Sequence, residues 1–144
     1  MLQGALHGRR HLSDASRTLA GILLLALVTV ETGGLYLVKV VTGRAGTTAF
    51  QEKFARAGHA HAGVLLLLAL ICQLLVDHSG LTGGWEWLAR SGVAASALLM
   101  PGGFFFSSMG AGRDRPNRLI GLVFGGAVLL AISLTTLGIG LVTA

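Results

Sequence analysis

The chain has 144 residues, of which 53% are hydrophobic and only 12% charged, with a mean hydropathy of +0.74. So few charges cannot cover a globule in water, and 22 glycines beside only 2 prolines rule out a collagen-like repeat, which leaves an integral membrane protein. A formal net charge of +5 needs no nucleic acid, because Lys and Arg beside anionic headgroups account for it. The single cysteine, Cys72, excludes an intrachain disulfide framework and any zinc site built from several thiolates.

The first 18 residues form a polar, slightly basic tail. His7 and His11 are spaced i, i+4 in it, a metal-compatible spacing with no third ligand nearby. A hydrocarbon core about 30 Å thick needs roughly 20 apolar residues of helix, and four runs of that order follow, over 19–41, 58–76, 91–109 and 119–142. They are continuously apolar and rich in Leu and Ala, so helices are expected and alternating barrel strands are not. The expected fold class is all-α: one integral membrane four-helix transmembrane bundle spanning residues 1–144. A bacterial inner (plasma) membrane is the expected setting for helical spans.

Between the first two runs, Thr48 can cap a helix, and Phe50 and Phe54 share a face, which predicts an interfacial turn of helix leading straight into the second span. The next loop carries Trp85 and Trp87, residues of an interfacial aromatic belt. In the third span Pro101 predicts a kink, and Pro116 is placed near the first turn of the fourth, where its missing N–H costs nothing. Gly33-Gly34, Gly102-Gly103 and the set Gly121, Gly125 and Gly126 mark faces for close helix approach, in one bundle or at an oligomer seam. Loops one and three carry Arg44, Lys53, Arg56, Arg113, Arg115 and Arg118, against Arg9, Arg10, Arg17 and Arg90 on the other side. That excess tilts loops one and three towards the cytoplasm and leaves topology undecided.

Ionisable groups inside a bilayer are costly, so each is a functional hypothesis. Glu31 lies near the middle of the first span, while Lys39 lies close enough to its end to snorkel. Eight positions separate them, too many for a pair along one helix, so Glu31 is protonated, hydrated or matched from another helix. Thr29, Thr32, Ser96 and Ser133 are the expected partners for a neutral Glu31. The second candidate is His59 with His61, at the head of the second span. Spaced i, i+2, they point about 200° apart and cannot easily grip one ion together. His61 shares the stripe of Phe50 and Phe54, His59 lies roughly opposite, and the small neighbours Ala60, Ala62 and Gly63 leave room for a flat macrocycle. Water- or headgroup-bonded interfacial histidines are the simpler alternative. Met100 and Met109 read as packing, because thioether copper sites need several soft donors together. His78, beside Asp77, reads as solvated. Neither a catalytic triad nor a phosphate-binding glycine loop is discernible, and no catalytic residue is assigned.

The run His59-Ala60-His61-Ala62-Gly63, followed by Val64-Leu65-Leu66-Leu67, resembles the start of the haem-ligand helix in the catalytic subunit of haem-copper oxidases and nitric oxide reductases. The likeness covers about one helix. In that family three arcs of four helices surround a pseudo-threefold axis, and a His near the start of the second helix holds the low-spin haem. The resemblance implies that this chain corresponds to one arc, assembling as a homotrimer, with His59 or His61 as an axial ligand to haem b. The chain departs from the family in having no His in its other spans, so a copper site of three imidazoles cannot come from one copy. The cofactor-binding candidates are thus His59 and His61, with Glu31 beside them as a metal donor (copper being the alternative to haem) or as a proton partner. Two further readings stand next to this one: an accessory or scaffold subunit of a larger membrane complex, and a proton or cation pathway through Glu31.

Overall fold

The computed structural model describes residues 12–144, so His7 and His11 lie outside the described residues. Four α-helices occupy the chain: α1 (Asp14–Val41), α2 (Ala49–Val76), α3 (Gly83–Ser108) and α4 (Gly121–Thr143), the last entered through a 3-10 turn at Arg118–Ile120. Among the described residues there is no strand. Three segments, α1, α2 and Arg118–Thr143, are long and apolar enough to cross a membrane. By that measure α3 stands apart from the expected four spans. Its first turns carry Trp85, Glu86, Trp87 and Arg90, and small residues and Pro101 fill much of the remainder.

Each helix begins and ends for a local reason. Ser13 caps α1, its Oγ accepting from the Ser16 N–H at 3.2 Å. Thr42 closes that helix, and Gly43 follows at φ 72°, in the left-handed region glycine occupies without strain. Thr48 and Gln51 form a reciprocal capping box at the head of α2, so this helix starts at Ala49, nine residues before the apolar run. The interfacial turn and the second span are one continuous helix. In the next connection the helix starts at Gly83, so Trp85 and Trp87 stand on the first turns of α3 rather than in a loop, both more than half exposed. Pro116 falls before the 3-10 turn, which Asn117 caps by accepting from the Leu119 N–H at 2.8 Å.

Consecutive helices run antiparallel. Gly58 meets Phe105 and Gln73 meets Arg90 along α2 and α3, while Gly103 meets Val123 and Gly126 meets Met100 along α3 and α4. The core is built from Leu65, Leu66, Ala69, Cys72 and Val76 of α2 and Ala89, Val93, Ala97 and Met100 of α3, with Leu23 of α1 and Leu137 of α4. The third helix is therefore the inner wall, packed between α2 and α4. In contrast, α1 packs mainly on α2, and only 6% of its apolar window is buried, against 33% for α2. Gly92, Gly103, Gly126 and Gly140 serve the close approaches, whereas Gly121 and Gly125 face open space. That GxxxG pair takes no part in packing within the chain.

A candidate ligand site at the head of α2

Both histidines of the pair are half-buried, and they face different neighbours. His59 lies against the glycine pair of α1. A Cβ at Gly34 would stand 3.5 Å from its Cε1 and 3.7 Å from its Nε2, and one at Gly33 3.8 Å from its Nδ1. Those are ordinary van der Waals distances, so the imidazole packs across this small-residue stretch of α1. The ring lines an apolar cavity of about 210 Å³ together with Tyr36, Ala55, Phe105 and Met109. Next to it, sharing Tyr36, Ala55, Phe105 and Met109, is a second cavity of about 300 Å³, which adds Thr47, Gln51 and Ser108.

His61 turns towards α3. Its ring lies 5.0 Å from that of Phe104, which also meets Phe54 at 5.5 Å, and Phe54 in turn packs on Phe50 at 4.3 Å. Nδ1 is 2.8 Å from the Ala57 carbonyl oxygen. Since a carbonyl only accepts, Nδ1 carries the proton and donates, and the lone pair of the neutral ring resides on Nε2. His78 makes the same kind of bond to the Leu74 carbonyl at 3.0 Å, in an exposed position. Among the described residues His59 has no such bond.

Glu31 is exposed, on the outward side of α1. Its expected hydroxyl partners are engaged elsewhere. Thr29 donates to the Ala26 carbonyl, Thr32 to that of Thr29, Ser96 to that of Gly92 and Ser133 to that of Leu129. Each of these hydroxyls satisfies itself on its own helix, which is the cheapest partner available inside a bilayer. Among the described residues no three His, Cys, Asp or Glu side chains gather as a group that could hold a metal ion, so His59, His61 and Glu31 are not brought together within one chain.

A polar node that the sequence reading passed over lies at the opposite end of the bundle. Arg90 is 1% exposed. Its Nη2 donates to Asp77 Oδ1 at 2.9 Å and to Glu86 Oε1 at 2.5 Å, and its Nη1 donates to Ser13 Oγ at 3.2 Å and to Ser16 Oγ. Asp77 also accepts from the Ser13 N–H and hydroxyl, both at 2.9 Å. Burial alone would push the Asp77 carboxyl up; the Ser13 N–H, the Arg90 guanidinium and the serine hydroxyls outweigh it and hold the carboxyl at about 2. The Glu86/Arg90 spacing of i, i+4 was the available signal. What the sequence did not reveal was that Asp77, from the end of α2, and Ser13, from the head of α1, complete the set.

Comparisons with protein-family models, with curated proteins and with solved structures find no match to this chain.

Proposed function

We propose that the protein is a small redox membrane protein that holds a haem, of b type, or a metal ion such as copper through the histidines at the head of α2. Its setting is a lipid bilayer of the inner, plasma-membrane kind, crossed by all four helices. The observation that carries this reading is the state of His61: its Nδ1–H is held by the Ala57 carbonyl and its Nε2 lone pair is left for a ligand bond, beside Phe104. Metal-bound imidazoles are typically oriented by such a second hydrogen bond, and an apolar aromatic surrounding suits an axial haem ligand. His78 has the bond without that surrounding.

Size restricts where a haem would lie. A cavity of about 150 Å³ accommodates one benzene ring. The two cavities near His59, about 210 and 300 Å³, are too small for a tetrapyrrole within a single chain. A haem would fit only at a surface shared between copies, where His61 from more than one copy would hold it, in line with the trimer that the family resemblance implies. The open Gly121/Gly125 pair supports self-association. A haem bound there would supply one-electron redox chemistry; this chain's own part is to orient the imidazole and exclude water.

The test is an absorption spectrum and metal analysis of the purified protein. A Soret band lost in His61→Ala and retained in His59→Ala is the expected result. Folded protein without colour or metal, or a band indifferent to His61, overturns the proposal. One observation favours a second reading, that of an accessory subunit docked through α1: the exposed Glu31 lies on the most thinly covered helix, and intramembrane carboxylates seek protein or water neighbours. Co-purification of a larger complex that is lost in Glu31→Leu would select it. A proton or cation path through Glu31 would instead show as flux in reconstituted vesicles that is abolished in Glu31→Gln.

A further inference from the structure

Charge is unevenly divided between the two ends of the bundle. At the end of the Arg90 node the described charges pair off, Arg17 with Asp14 and Arg90 with Asp77 and Glu86. The opposite end, with the loops after α1 and α3, carries Arg44, Lys53, Arg56, Arg113, Arg115 and Arg118 against only Glu52 and Asp114. Among the described residues of that end one ion pair forms, Arg56 with Glu52, at 3.4 Å and in an exposed position. A surplus of positive charge at a membrane surface attracts anionic headgroups.

One of these cations is held in place beside a groove. The Thr48 hydroxyl donates to the Arg113 carbonyl, and Gln51 donates to the carbonyls of Ser108 and Gly110, so the head of α2 fixes the loop after α3. Within that loop the Arg113 Nε donates to the Met109 carbonyl at 2.6 Å. The guanidinium thereby lies against Gly110, where a Cβ would stand 3.1 Å from Nε. Met109 and Gly110 both line the cavity of about 300 Å³. Among the described residues neither Nη of Arg113 makes a hydrogen bond, so the fork is anchored at one edge and two donor nitrogens are left for a phosphate. The groove changes character with depth. Its outer part is lined by Thr47, Gln51 and Ser108, at the loop end. It continues into the apolar cavity of about 210 Å³, which reaches His59, about 12 Å further along α2 than Gln51 at 1.5 Å per residue. Tyr36 and Met109, both more than half exposed, leave its side open to lipid. Since about 150 Å³ holds the six carbons of a benzene ring, the inner cavity holds a segment of roughly eight chain carbons.

We propose that the groove between α1, α2 and α3 seats one anionic phospholipid of the leaflet on the loop side, with Arg113 on its phosphate and an acyl chain along Phe105 and Met109. A lipid fits better than a soluble anion because the cationic mouth runs on into an apolar slot, and an anionic lipid better than a zwitterionic one because the surrounding charge lacks acid partners. The haem reading is not needed for this, since His61 takes no part. The test titrates delipidated, haem-free protein in neutral detergent with phosphatidylglycerol and with phosphatidylcholine of the same acyl chains, reading Tm and, by native mass spectrometry, the lipid retained. A saturable rise in Tm with one phosphatidylglycerol retained per chain is expected, phosphatidylcholine needing at least about fivefold more. Arg113→Gln is expected to weaken phosphatidylglycerol about fivefold, the contribution of one basic side chain at an anionic surface. Lys53→Gln is the control. Two residues from both Gln51 and Ala55, which line the groove, Lys53 projects from the other side of α2, and its loss should change the affinity by less than about twofold. Equal response to the two lipids, an equal loss in Lys53→Gln, or the same stabilisation by inorganic phosphate alone each overturns the proposal. A missing Soret band bears only on the haem reading.

Discussion

Among the described residues Arg90 is the most expensive side chain to bury, and every donor direction assigned to it ends on an oxygen. Removing one member of a buried ion pair strands the other, at a cost of about 3–5 kcal/mol. Arg90→Ala is therefore expected to destabilise the bundle by that amount in thermal or chemical unfolding. Glu86→Gln should cost under about 1 kcal/mol, because the Glu86 side chain is 34% exposed, against 14% for Asp77, and water screens it. The pH dependence follows from Asp77. Its folded-state value, about 2, lies below the ordinary value of roughly 3.9. The stabilisation is thus fully present above about pH 4 and is lost as pH falls towards 2. Asp77→Asn is expected to be less stable at neutral pH and to flatten the fall in Tm across that acid window; a wild-type Tm that stays level through it would refute the assignment. Glu86 and Arg90 stand at i, i+4, but in the sequence they fall in the loop before the third apolar run, and nothing in one dimension announces that two other helix ends converge on the same guanidinium.

At the scale of the helix, glycines with the same sequence signature divide into two kinds. A Cβ at Gly103 would lie 2.6 Å from Val123 Cγ2 and 2.7 Å from the Val123 backbone nitrogen, so α3 and α4 would have to move apart. Gly103→Ala is expected to cost about 1–3 kcal/mol, the usual penalty for overpacking. Gly125→Ala meets nothing within 4 Å and should leave the single chain's unfolding unchanged. Any effect it has will be seen in cross-linking between copies. The head of α2 offers a third test. Thr48 closes the capping box and also donates to the Arg113 carbonyl at 2.5 Å, while Gln51 donates to the carbonyls of Ser108 and Gly110 at 3.0 and 2.7 Å. Thr48→Ala should cost about 1 kcal/mol as a cap and more through the lost tie to the loop after α3, and hydrogen exchange at the first turn of α2 would measure it. The capping residue and the Phe50/Phe54 face were legible in the sequence because both are local. The start of α3 at Gly83 was not, since Gly83 and Gly84 signal a loop until the helix packs on its neighbours.

For the whole molecule, the serial packing of α1 on α2, α2 on α3 and α3 on α4 leaves α1 and α4 as outer helices. The loops Thr42–Thr48 and Met109–Asn117 lie at one end with the candidate ligand site, while the α2–α3 connection and Ala144 meet at the other, where a Cβ at Gly80 would lie 3.7 Å from that of Ala144. If all four helices cross the bilayer, reporter fusions at Gly46 and Ala111 will report one side and fusions at Thr82 and Ala144 the other. A fusion at Thr82 on the same side as Gly46 would remove α2 as a span.

Composition and run length alone determined that this is a helical membrane protein, since continuous apolar stretches of about 20 residues have few other stable solutions in lipid. They also marked the histidines and Glu31 as the side chains with unusual reasons to be there. Only tertiary packing decided which neighbours those groups meet. His59 faces a glycine-walled cavity and His61 an aromatic cluster because antiparallel register brings Gly33-Gly34 to the one and Phe104 to the other. Glu31, on the side of α1 that α2 does not cover, stays outside both. Such pairings depend on how helices distant in sequence align, and the helical period of one segment carries no information about its partner's.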